Sequence, residues 1–399
     1  MKPLTRFCRV IVGIVFIFSG FVKLLAPVGT SLIMKEYLEL FHLGFISGGA
    51  LPLGIALAMM EFLTGVSLLL RLRIRLFAWV ALILLAIFTP LTLYLALFNP
   101  IADCGCFGEA VHLSNWQTFL KNVILLPLAV ILFIFRRKVA PSGSAFGEWV
   151  FVLLFAALGL WLPVRTMTVA PLQEFTPYKV GSEVTAGTKV SEMPEYETLF
   201  VYEKEGEVRR FTLDDLPDST WTYVDTETTQ LSGGGVQASD ADFVIESPGG
   251  ANITESILSR RNLLLMTIYH PDKFFRRHTA DDIAGVCERA AGEGMYLMVA
   301  APYPLENLPE GCEMALADPK LLQTFNRSNG GVTRLESGLI VRKWARPAAL
   351  SGAVFNPAGS PERESISTLN RQRLLLESFI GVFLLLCIIK GLVFRKKKQ

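Results

Sequence analysis

Charge is scarce in this chain. Of its 399 residues, 19% are Asp, Glu, Lys or Arg, and the formal net charge is +2. So even a balance gives a nucleic-acid partner no support. Cysteine is sparse as well: six in the whole length, which excludes a disulfide-dense scaffold. Neither an internal repeat nor a pair of interrupted apolar segments is visible, so a transporter reading has little behind it. Lys and Arg are missing altogether from residues 99–117. What fills the sequence is apolar. Hydrophobic residues make up 51% and the mean hydropathy is +0.43, beyond an ordinary soluble protein and in the range of several membrane spans.

A hydrocarbon core of roughly 30 Å needs about 20 apolar residues in a helix. Six runs qualify: 8–27, 51–70, 76–98, 118–135, 147–165 and 375–394. The first has the basic start of a signal peptide, but Ser19-Gly20-Phe21-Val22-Lys23 is a poor cleavage site and more spans follow directly. It reads as a retained helix. Basic residues then cluster at alternate ends: Lys2, Arg6 and Arg9; Arg71, Arg73 and Arg75; Arg136, Arg137 and Lys138; Arg395 and Lys396–Lys398. The positive-inside rule puts all of them, with both termini, in the cytoplasm. The expected location is a bacterial inner membrane, with residues 99–117 and 166–373 facing an oxidising periplasm.

That topology gives meaning to Asp103-Cys104-Gly105-Cys106-Phe107-Gly108, a run explained neither by spanning nor by core filling. A disulfide between cysteines two apart is tight, and strain makes such a bond labile, a property that suits exchange better than stapling. The loop closed is minimal, so a staple would add little. The alternatives are pairing of each cysteine with Cys287 or Cys312, a metal held with Asp103, Glu109 and His112 at a spacing that fits no standard zinc site, or a plain structural loop.

Three polar residues stand out near the same end. Lys23 either snorkels to the headgroups or turns inward to an acid. Glu61 sits mid-span, where a carboxylate is costly and is a functional candidate by default; the bland reading is a structural pair with Lys23 or Lys121. Pro90 predicts a kink, Ser114 an N-cap, and residues 31–43 a short helix on the membrane surface.

Residues 166–235 read as β-rich, with a hairpin about Glu205-Gly206 and a linker at Gly233–Gly235. From 236 to 350 strands (242–246, 263–269, 295–300, 313–316, 331–335, 339–344) alternate with helices (253–258, 280–293, 319–326), giving a soluble α/β domain of thioredoxin-like order. Residues 351–373 read as a linker to the last span, 374–394, and 395–399 as a basic tail.

The run Gly13–Lys23, Glu61 with Gly65, and Asp103–Gly108 followed by Leu113–Phe119 resemble the DoxX-like superfamily of four-helix membrane proteins, in the branch related to MauE. The resemblance covers residues 1–135 and implies a redox-associated membrane module. The outer domain resembles a thioredoxin fold, with His270-Pro271-Asp272-Lys273 where thioredoxins carry Cys-x-x-Cys, and Asn329-Gly330-Gly331-Val332 where they carry a cis-proline. Both departures argue against redox catalysis there. The fold class is thus a membrane helical bundle, a four-helix core (1–138) plus two further spans, with an α/β domain outside. Two functions remain open. One is thiol–disulfide exchange or electron transfer by Cys104 and Cys106, with Lys23, Glu61 and Lys121 lining a cavity for a quinone and the outer domain docking a protein client. The other is a membrane scaffold or maturation factor with no reaction of its own.

Overall fold

The computed structural model describes residues 2–101, 104–140, 142–185, 195–204, 207–211, 222–232, 243–305, 308–309, 311–355 and 359–395. Asp103, the Glu205-Gly206 turn, the Gly233–Gly235 linker, Asp242 and Lys396–Lys398 lie outside the described residues.

Two helices open the chain, α1 (Lys2–Leu25) and α2 (Pro27–Leu40), separated by Ala26 alone. Pro27 at the first position of α2 starts a new helix there, four residues ahead of the expected 31–43. A 3-10 turn (Gly44–Gly49) leads into α3 (Ala50–Leu70), then α4 (Ile74–Phe98), α5 (Asn115–Phe135) and α6 (Ala145–Thr168). Helix α4 continues through Pro90, where Thr89 and Thr92 turn their hydroxyls back onto the carbonyls of Leu85 and Phe88. Ser114 caps α5 in a capping box with Gln117. Including α12 (Pro361–Arg395), six helices among the described residues are long and apolar enough to cross a membrane. The chain is a multi-pass membrane protein.

Small residues set the packing. A Cβ on Gly20 would lie 2.4 Å from Phe62 N, and one on Gly65 2.4 Å from Ile17 N. Helices α1 and α3 therefore meet backbone to backbone, the contact that glycine permits between membrane helices. At one end of the bundle Arg9 donates to the carbonyls of Leu68 (3.1 Å) and Leu69 (3.0 Å), Lys390 donates to that of Leu70, and Glu148 accepts from Arg73 N at 3.0 Å.

The α/β domain follows as α7 (Thr254–Leu258), β4 (Leu263–Thr267), α8 (Pro271–Phe275), α9 (Ala280–Gly292), β5 (Tyr296–Ala301), β6 (Glu313–Leu316), α10 (Pro319–Phe325), β7 (Gly331–Glu336), β8 (Leu339–Trp344) and α11 (Arg346–Leu350), with β1–β3 reserved for the separate unit below. Its mixed sheet has the order β6-β5-β4-β7-β8, with β4 parallel to β5, β5 parallel to β6, and the other two pairings antiparallel. Every residue of β4 is buried, as expected for an unbroken apolar run covered on both faces.

Three expectations need correction. The strand at 242–246 reduces to bridges at Glu246, because its neighbour is the short end of β6. The β-rich segment 166–235 divides at 184: Gly181 N and Val184 N donate to the carbonyls of Ile340 and Gly338, so residues up to 184 edge the five-stranded sheet. The linker at 351–373 is helical from Pro361 onward, continuous with the last span. Proline at the start with Glu362 and Glu364 in the first turn suits a helix N-terminus. Glu364 then pairs with Arg334 on β7 and Arg342 on β8.

Residues 185–244 form a separate compact unit. Its strands β1 (Glu195–Lys204), β2 (Glu207–Phe211) and β3 (Thr222–Ser232) form an antiparallel sheet of order β2-β1-β3.

Candidate functional site

The close approach of α1 to α3 brings Lys23 onto Glu61. Nζ lies 2.8 and 2.9 Å from the two carboxylate oxygens, and both residues are buried, 6% and 3% exposed. Lys23 therefore turns inward and does not snorkel. The Ser19 hydroxyl lies 2.8 Å from Glu61 Oε2 and 2.6 Å from the Cys106 carbonyl oxygen, both acceptors. One serine thus links the buried ion pair to the cysteine loop.

The loop is fixed at its base and along its length. Asn115 Nδ2 donates to Asn99 Oδ1 (2.7 Å) and to the Ile101 carbonyl (2.8 Å). Gly108 N donates to the Gly105 carbonyl, closing a turn, and Phe107 bridges Val111. The Tyr37 hydroxyl on α2 donates to the Cys104 carbonyl at 2.9 Å. Gly105 has φ +63°, and a Cβ there would sit 2.4 Å from Ile33 Cδ1. Backbone strain and α2 both demand glycine between the cysteines.

The two sulfurs lie 3.0 Å apart with both thiols free. A disulfide bond is about 2.05 Å, so bond formation needs a closure of roughly 1 Å. The thiols are inequivalent. That of Cys106 is drawn down to about 6, chiefly by the Cys104 S–H donating to its thiolate, against burial and with help from the ammonium groups of Lys121 and Lys23. That of Cys104 is pushed up by the same contact and by burial. Lys121 Nζ also sits 4.5 Å from the centre of the Phe107 ring, a cation–π contact on the loop. Alkylation of the reduced protein should therefore rise through about pH 6 at Cys106 and level off above it. Lys121→Met should move that midpoint upward, as read by mass spectrometry of the labelled peptide. A midpoint at the ordinary thiol value of about 8.5 would refute the assignment.

Beneath the pair lies a cavity of about 210 Å³. Cys104, Cys106, Ser19, Lys23, Glu61, Lys121 and Asn122 line it with apolar walls that include Phe16, Leu57, Leu85, Phe88 and Leu125. The five residues expected at an exchange site with its cavity, Lys23, Glu61, Cys104, Cys106 and Lys121, thus meet at one space. Cys287 and Cys312 do not join them; they pack together in the core of the α/β domain. Ser19, Tyr37 and Asn122 were missed. Tyr37 lies within the short surface helix expected at 31–43, and no local pattern marks its hydroxyl as the partner of the Cys104 carbonyl.

Residues 1–135 match the family of methylamine utilisation protein MauE. Residues 196–232 match a domain of unknown function (DUF8463). Protein TlpB of Flavobacterium psychrophilum is 25% identical over 197 residues, 45% of this chain and 51% of that protein. The chain spans about half the length of that curated relative. No solved structure matches the chain. The segment that carries the cysteine pair and its three charged neighbours is the segment that is similar to MauE.

Proposed function

We propose that this protein is a membrane thiol–disulfide oxidoreductase, or the electron-carrying subunit of one, in which Cys104 and Cys106 are the exchange pair. The observation that carries the reading is the pair of free sulfurs 3.0 Å apart at the wall of a cavity that also holds Lys23, Glu61 and Lys121. The acceptor that fits is a quinone. The donor set suits it: apolar walls for a ring, with ammonium groups at one end for carbonyl oxygens. A bound quinone would supply a two-electron, two-proton acceptor.

The chain's own groups do the rest. The Cys106 thiolate is the nucleophile, held ionised by Cys104 S–H, Lys121 and Lys23. As the sulfur–sulfur bond forms, the thiolate–thiol pair would give up two electrons and the Cys104 proton to the acceptor, whose second proton is the one Cys106 released to water on ionising. The Lys23–Glu61 pair places an ammonium group beside the thiolate while its own charges cancel. Reduction of the disulfide by the two thiols of a client protein returns the pair to its starting state. The turn directly after β4 carries no cysteine and reads His270–Lys273, and the strand order is compatible with a thioredoxin-like domain that docks a client without reacting. The basic clusters at the opposite end of the bundle support an outward-facing pair in a bacterial inner membrane.

The test is thiol trapping in intact cells, with rapid acid quench and an alkylating mass tag. Blocking respiration should shift Cys104 and Cys106 toward the reduced form. A pair that stays fully oxidised under every condition would leave the second reading, a maturation scaffold in which the cysteines are structural.

A further inference from the structure

The cysteine loop has a fourth anchor, and it comes from outside the bundle. Glu109 pairs with Arg327 of the α/β domain, 218 positions away along the chain. Both side chains are largely buried, 22% and 16% exposed for Arg327 and Glu109. Arg327 lies in the turn between α10 and β7, and that turn is tied down by hydrogen bonds. The Tyr269 hydroxyl donates to the Arg327 carbonyl at 3.0 Å. Asn329 accepts from His270 N at 3.0 Å and donates to the His270 carbonyl at 2.9 Å, tying the turn to the one that follows β4. On its other side Glu109 rests on α2, where a Cβ on Gly29 would lie 2.1 Å from the Glu109 carboxyl carbon. The carboxylate is therefore gripped between a bare helix backbone and a guanidinium.

We propose that Arg327 is a positioning residue for the cysteine pair: the α/β domain clasps the loop through Glu109 and holds the two sulfurs at the mouth of the bundle cavity. The proposal rests on the reading that this pair exchanges electrons. The path is short. Glu109 follows Gly108, whose missing Cβ would lie 3.5 Å from Lys23 Cγ, and the Cys106 carbonyl just before it is held by Ser19. Releasing Glu109 lets this stretch lift from Lys23 and Ser19, and the Cys106 thiolate loses part of the positive charge that holds it ionised. The α/β domain is then a working part of the site and more than a tethered receptor.

The test uses the full chain, reduced, in lipid nanodiscs. The rate of iodoacetamide labelling at Cys106 is followed against pH in four proteins: parent, Arg327→Gln, Arg327→Lys and Gly29→Ala. Arg327→Gln and Gly29→Ala break the clasp from opposite sides. Each should move the profile upward by about one unit, about tenfold slower labelling on its acid limb. Arg327→Lys keeps the charge and should keep the parental profile. Parental profiles for both clasp-breaking variants would overturn the proposal. So would a shift with Arg327→Lys as large as with Arg327→Gln, which marks general loosening. Labelling needs no acceptor or client. A shifted profile on a pair that never cycles in cells refutes the exchange reading alone; an unshifted profile on a cycling pair refutes the clasp alone.

Discussion

Cys106→Ser should lower quinone-dependent dithiol oxidation by at least about 10³-fold, and Cys104→Ser should do the same, with the double variant no worse than either. The reason is that the pair reacts as a unit. One sulfur alone can neither form nor resolve the bond, and the surrounding charges then stabilise a thiolate with nowhere to go. The measurement is disappearance of a water-soluble quinone, with a small dithiol as reductant and the full chain in nanodiscs. Serine is close in size to cysteine, and the loop stays anchored by Asn115, Tyr37 and Ser19, so loss of folding does not explain the expected result. Parental turnover in either single variant would end the exchange reading. It would leave the loop as a shaped surface whose cysteines fill a small cluster with Leu95 and Ile101.

The second large effect concerns the buried ion pair. Lys23→Met strands the Glu61 carboxylate in an apolar interior, and removal of one partner of such a pair costs about 3–5 kcal/mol. Lys23→Met with Glu61→Leu removes both charges and should recover most of that loss, because a well-packed apolar replacement is often neutral or better. Thermal unfolding in nanodiscs reads this directly. The labelling profile of Cys106 read on the same samples separates structure from function. Lys23→Met alone takes a lowering charge from the Cys106 thiolate and leaves the raising one, so its profile shifts toward higher pH; in the double variant the two opposing charges leave together and most of that shift returns. A parental profile in Lys23→Met itself would make the pair a structural device only.

Much of this was legible in the chain. The α/β domain declared itself because its strands are short: five or six apolar residues, bounded by turns, leave little choice of period or register. Leu263–Thr267 and Tyr296–Ala301 fall where the runs predict them. Lys23 and Glu61 stood out because charge inside a span must be answered by something. That Lys23 itself answers Glu61 depends on Gly20 and Gly65 letting two helices touch, a fact of packing that no local pattern carries. The Arg327–Glu109 clasp was invisible for a related reason: its partners lie in different domains, and each alone is an ordinary surface charge. Residues 361–373 were misread because their polarity suggests a solvated linker. A helix whose first turns stand in water and grip a sheet through Glu364 is polar for the same reason.

That last helix, α12, has 35 residues. At 1.5 Å per residue it is about 52 Å long, against a hydrocarbon core of roughly 30 Å. About 20 Å of rigid rod therefore stands clear of the lipid. A flexible tether would let the α/β domain explore a hemisphere and meet the cysteine loop only occasionally. A rod pinned to β7 and β8 through Glu364 fixes its height instead. The same rigid connection that carries the sheet therefore also sets where Arg327 stands when it meets Glu109.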